Sequence, residues 1–230
     1  MTSTPGSAVP TGTERSRPAP DYVRRFWPEE RSLHWLLAIT FLIMLATGLI
    51  LYLPVFSQLA ADRRLWKSLH LGAAIAFWAG LVVLLLSDTH GRLRRTAAQI
   101  DRFDDDDVRW LRWAVARRGA EPPQGRFNAG QKLNAAIVSG LMVVFTASGV
   151  LIYLQETDAA VRGRTSAILV HDIATWVAVP LIAGHLYLAL VHPSTRPSLR
   201  GMVLGTVRRD WARRHHPKWD ATNDSGPGPA

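Results

Sequence analysis

The residues best suited to chemistry in this chain of 230 are its eight histidines, at positions 34, 70, 90, 171, 185, 192, 215 and 216. There is no cysteine, which excludes a disulfide scaffold, a thiolate metal or iron–sulfur site and a cysteine nucleophile. An imidazole near neutral pH relays protons or lends a lone pair to a metal, and its surroundings decide which. His90, His215 and His216 stand in charged segments and read as surface residues. His34, His70, His171 and His185 stand inside or at the ends of stretches almost free of charge, where a polar side chain is costly and needs a reason.

Those stretches cover 33–53, 69–86, 133–154 and 167–191, or 21, 18, 22 and 25 residues. A helix crossing a hydrocarbon core of about 30 Å needs roughly 20 apolar residues. Four such helices in 230 residues leave too little polar chain to cover them. The predicted fold is therefore an all-α membrane protein, a bundle of four transmembrane helices. Its Lys and Arg residues set the orientation. The N-terminal segment, the loop between spans two and three and the C-terminal segment hold 22 of 27, and the other two loops hold five. This bias predicts cytoplasmic N- and C-termini in the inner (plasma) membrane. The formal charge of +9 reflects that topology, and its dispersal around the spans argues against nucleic acid as a partner.

Residues 1–25 and 220–230 read as disordered cytoplasmic tails flanking one domain over 26–219. Residues 1–20 lack the apolar core of a cleavable signal peptide. Asp104–Asp107 reads as a solvated acidic turn, and 108–115 as a short helix at headgroup level. The segment 198–219 mixes apolar and basic residues, as expected of a cytoplasmic amphipathic helix. No internal repeat is apparent.

Depth pairs the histidines. His34 enters span one at the cytoplasmic side and His70 starts span two at the outer side. His171 and His185 lie fourteen residues apart on span four, about 21 Å along the axis and within about 40° of the same face. His70 is thus level with His171, and His34 with His185. Two facing imidazoles in an apolar sheath suit axial ligation of b-type haem, whereas zinc or copper needs a further ligand at each depth. His192 competes with His185 for the inner position, but would put the two groups about 31 Å apart. Gly48 and the run Ala147-Ser148-Gly149 leave room at the outer level, and Pro180 is expected to kink span four between its two histidines. A proton relay of the same histidines with Asp172, as in a transporter, is the competing chemistry.

The stretches Arg31-Ser32-Leu33-His34-Trp35, Ser68-Leu69-His70, Phe127-Asn128-Ala129-Gly130-Gln131-Lys132 and His185-Leu186-Tyr187-Leu188-Ala189 carry a resemblance. So does Trp211-Ala212-Arg213-Arg214-His215-His216-Pro217-Lys218-Trp219. Over roughly 25–219 the chain resembles the gamma (cytochrome b) subunit of membrane-bound formate dehydrogenases, within the bacterial di-haem b cytochromes that include the hydrogenase cytochrome b. The resemblance implies two haem b groups, an inner one on His34 and His185 and an outer one on His70 and His171. It also implies a quinone (menaquinone) site by Asn128, Gly130 and Gln131, residues that by their chemistry serve equally well as a helix cap. The implied role is membrane anchor and electron conduit, fed by an iron–sulfur (beta) subunit and a molybdenum or tungsten catalytic (alpha) subunit. The chain would then have no dehydrogenase active site of its own. Alternatives are the cytochrome b of a hydrogenase or another quinone-linked oxidoreductase, and a standalone di-haem quinone oxidoreductase.

Overall fold

A computed structural model describes residues 21–56, 58, 61–158 and 166–219. Four helices in it are long and apolar enough to cross a membrane: α1 (Pro28–Tyr52), α2 (Arg63–Leu86), α5 (Ala129–Thr157) and α6 (Ala167–Leu190). Three of them begin four to six residues before the apolar stretch read from sequence, because polar first turns are capped there. The Glu30 carboxylate accepts the Trp27 N–H at 2.7 Å. Asp62 accepts the Leu65 N–H at 3.0 Å, and Asn128 accepts the Gln131 N–H at 2.8 Å. These bonds satisfy donors that a helix start leaves without partners. Outward faces expose Ile39, Val83, Val143, Leu169 and Val177. A helix in lipid satisfies its backbone internally and turns its apolar side chains to the solvent it has.

α1 packs against α2, and α5 against α6. Phe41 meets Phe145 at 6.0 Å between ring centroids, and Tyr52 meets Trp176 at 6.3 Å, joining α1 to the second hairpin. α1 and α5 start, and α2 and α6 finish, at one end of the bundle. That end carries a cap built from α3 (Arg92–Asp101), α4 (Asp105–Ala116), α7 (Leu199–Leu204), α8 (Arg209–His215) and two strands.

The strands correct two expectations. β1 (Tyr22–Arg24) pairs antiparallel with β2 (Thr206–Arg208), Val23 opposite Val207, so residues 21–25 belong to the cap and not to a tail. The tails expected over 1–20 and 220–230 lie outside the described residues. The segment 198–219 is not one amphipathic helix but a short helix, a strand and a short helix. Gly205 breaks it with φ +80°, a left-handed conformation that glycine adopts without penalty. Its carbonyl takes the Arg25 and Phe26 N–H groups at 2.8 and 3.1 Å, and a Cβ there would stand 2.8 Å from the Phe26 carbonyl. Arg31 and Trp35 of α1 donate to the Met202 and Val203 carbonyls at the end of α7. The core of this cap is Val23, Val207, Trp211 and Ala212, with Trp219 against it.

The acidic run is likewise not a solvated turn. Asp104 and Asp107 form a reciprocal box at the start of α4, and buried Asp107 meets Lys132 of α5 at 2.6 Å. Hydrogen bonds from Lys218 hold the carboxyls of Asp104 and Asp106 below the usual carboxylate range.

His216, expected at the surface, is buried and gives its Nδ1–H to the Gly125 carbonyl at 2.6 Å. Burial, reinforced by the charge of Arg25, pushes its pKa from the ordinary 6.5 to about 3. Its folded pKa lies below its unfolded one, so the unfolded chain binds the extra proton between those values. Stability is therefore lost as pH falls from 6.5 towards 3, by about 2 kcal/mol at pH 5. Thermal unfolding of the detergent-solubilised protein at pH 7 and pH 5 should show this drop, and His216→Asn, which keeps a donor for Gly125, should flatten it. An unchanged difference in the variant would assign the acid sensitivity to other groups.

Candidate functional site

The alternation of four spans brings the histidines together as their depths require. At the capped end His34 of α1 faces His185 of α6, with ring centroids 6.2 Å apart. At the open end His70 of α2 faces His171 of α6, also at 6.2 Å. Each pair joins different helices, and α6 contributes to both, through residues on one side of Pro180 and the other. His192 lies in the turn after α6, where its Nδ1 is bonded to Ser194 and Thr195 at 3.1 and 3.4 Å and its ring leans on Tyr187.

The spacing of these rings tests what they can hold. A bond of about 2.0 Å from imidazole nitrogen to a metal, plus about 1.1 Å from that nitrogen to its ring centroid, doubled across one metal, gives about 6 Å. Both pairs meet that separation. Among the described residues no group of three or more His, Asp, Glu or Cys side chains forms a metal cage, so the donor set suits a metal that brings its own equatorial ligands. Gly48 and Gly149 lie beside the same rings. A Cβ on Gly48 would come 3.5 Å from His70 Cε1, and one on Gly149 3.8 Å from His171 Cε1. Both are ordinary contacts, so the imidazoles do not demand glycine.

Hydroxyls that escape a sequence search for ligands support the open-end pair. Thr47 Oγ1 lies 3.0 Å from His70 Nδ1, and Ser148 Oγ lies 2.9 Å from His171 Nδ1. The available signal was a repeat. Residues 46–53 (Ala-Thr-Gly-Leu-Ile-Leu-Tyr-Leu) recur as 147–154 (Ala-Ser-Gly-Val-Leu-Ile-Tyr-Leu), which corrects the expectation of none.

At the capped end, Asn128 and Gln131 form a reciprocal cap. Gln131 Oε1 accepts the Asn128 N–H at 3.0 Å and Asn128 Oδ1 the Gln131 N–H at 2.8 Å. This engages their carbonyl oxygens; the NH2 groups are the donors each amide has left. A Cβ on Gly130 would meet the Trp110 ring at 3.1 Å, so glycine lets α4 lie against α5. Behind them Arg126 grips Glu30, both oxygens at 2.8 Å, one turn before His34. Arg25 is buried beside it, its guanidinium against the rings of Trp211, Phe26 and Trp219. Burial, then the Arg126 charge, pushes its pKa down to about 9. Among the described residues its Nε and Nη1 find no hydrogen-bond acceptor, and the ring faces supply the attraction instead.

Four apolar spanning helices with imidazoles paired at two levels define a membrane cytochrome of the b type. Residues 25–205 match the family model described as prokaryotic cytochrome b561, and the chain belongs to that family, whose cofactor is b-type haem. Among curated proteins it is 29% identical over 209 residues to the formate dehydrogenase cytochrome b556(fdo) subunit of Escherichia coli (strain K12), covering 86% of this chain and 92% of that one. It is 26% identical over 200 residues to the nitrate-inducible formate dehydrogenase cytochrome b556(Fdn) subunit of the same organism, covering 83% and 86%. With the formate dehydrogenase cytochrome b556 subunit of Haemophilus influenzae the identity is 25% over 196 residues, 81% and 77% of the two chains.

Proposed function

We propose that this chain is the membrane-anchored electron-transfer subunit of a formate dehydrogenase complex, carrying electrons through two b-type haems to a quinone. The two matched histidine pairs, 6.2 Å across at each level, carry this reading, and the names of the relatives direct it to formate. His34 and His185 would hold one haem, and His70 and His171 the other. Haem bound there would supply reversible one-electron transfer.

The protein's own groups do the rest. Paired imidazoles on α1, α2 and α6 hold the two sites at different depths of one bundle. At the capped end the NH2 groups of Asn128 and Gln131 donate to a quinone carbonyl, menaquinone's being the expected one, and the Arg126–Glu30 pair fixes the helix starts that carry them. With the basic cap in the cytoplasm, the open end would face an iron–sulfur subunit, and the capped end a quinone that would take its protons from the cytoplasmic side. Inward movement of negative charge works against a potential negative inside, storing about 2.3 kcal/mol per charge per 100 mV. A molybdenum or tungsten subunit oxidises the formate.

Purification from native membranes tests this. A b-type α-band on reduction, two haems per chain and reduction of both by formate through co-purifying iron–sulfur and molybdenum or tungsten subunits are expected. A colourless chain would end the haem reading. Haems that formate leaves oxidised while hydrogen reduces them would transfer the assignment to a hydrogenase.

A further inference from the structure

Two hydroxyls lie against the open-end histidines. Thr47 has one hydroxyl proton, and its nearest acceptor is the Ile43 carbonyl at 2.8 Å; with the proton there, His70 Nδ1, 3.0 Å away, is the donor in that contact. Ser148 repeats the arrangement, with its proton on the Val144 carbonyl at 2.6 Å and His171 Nδ1 at 2.9 Å. A neutral imidazole protonated on Nδ1 carries its lone pair on Nε2. The two arrangements are copies. Thr47-Gly48 and Ser148-Gly149 are 101 positions apart, and so are His70 and His171. The same shift carries His34 onto Ala135 and His185 back onto Leu84, so the capped-end pair is no part of the repeat. Among the described residues no hydroxyl bonds a ring nitrogen of His34 or His185.

We propose that Thr47 and Ser148 are the positioning residues of the open-end site, a duplicated hydroxyl–glycine notch that fixes each ligand as its Nδ1–H tautomer with Nε2 free for iron. This rests on the haem reading above. A hydroxyl that accepts from the outer nitrogen of a ligating imidazole makes the ligand more basic and favours ferric iron. Removing both hydroxyls with Thr47→Val and Ser148→Ala, which leaves His70 only its backbone contact with Met44, should raise the midpoint potential of one haem and leave the other where it was. It should also weaken haem retention at that one site about 10–100-fold. Thr47→Ser and Ser148→Thr, which keep the oxygens, should restore the parent midpoint.

Redox titration of the purified complex, followed in the α-band, separates the outcomes. Two haems in the double variant with both midpoints unmoved, or both moved equally, would overturn the proposal. If the double variant holds neither haem, the single variants decide, since each keeps one hydroxyl; unmoved midpoints in both overturn it just as firmly. A parent protein without haem would instead sink the functional reading on which this rests.

Discussion

Replacing His70 and His171 together with Ala should halve the haem content of the purified protein and leave one six-coordinate b-type spectrum. Replacing His34 and His185 together should remove the other half. The expectation follows from pairing by depth, since each double variant strips one level of the bundle of both its nitrogens and leaves the other pair, 6.2 Å across, untouched. The crossed variant, His34→Ala with His70→Ala, is the sharper control because it leaves each level a single imidazole and should disturb both haems. Electron delivery to quinone should fall in every case by more than the roughly 10–100-fold typical of losing a supporting residue, because a ligand itself is gone. Haem counts and reduced-minus-oxidised spectra are the measurements. A crossed variant that loses one haem cleanly while a level variant disturbs both would mean that the pairs are wrongly drawn.

This pairing is legible in the sequence, because helix pitch and span direction convert residue number into depth and face. His171 and His185 share a face because fourteen residues are close to four full turns, and α2 runs opposite to α1, which puts His70 at the other end. The starts of the spans were less legible. Glu30, Asp62 and Asn128 each cap a helix from a polar position that hydropathy assigns to a loop.

The cap was nearly invisible. Val23 pairs with Val207 across more than 180 residues, and three-residue strands are too short for alternation to announce them. The burial of His216 is hidden for a related reason. Its neighbours in sequence are basic and proline, but its neighbours in space are Trp211 and the Gly125 carbonyl. The repeat behind the open-end histidines was hidden by conservative exchanges, Thr for Ser and Leu for Val, that preserve a hydroxyl and a shape while changing the letters.

Arg126→Ala should be the most damaging single change away from the histidines. Arg126 donates to both oxygens of Glu30 at 2.8 Å, to Thr96 Oγ1 at 3.2 Å, to Gln99 Oε1 at 3.1 Å and to the Arg25 carbonyl. Both partners of the ion pair are buried, their side chains 9% and 4% exposed, so deleting the guanidinium leaves a carboxylate in a place where water cannot replace it. Such a loss costs about 3–5 kcal/mol, and Arg126→Lys should recover only part of it, because an ammonium cannot span both oxygens. Replacing both partners by apolar residues of similar size (Arg126→Met with Glu30→Leu) should cost less than Arg126→Ala alone, since no charge is then stranded. The damage also has a direction. Arg126 links the start of α1, one turn before His34, to the start of α5, so His34 should lose its alignment with His185 before the far pair is affected. Mild detergent denaturation of the single variant should therefore release the haem of the His34–His185 level first, and equal release from both levels would mean that this cluster steadies the fold without holding the site.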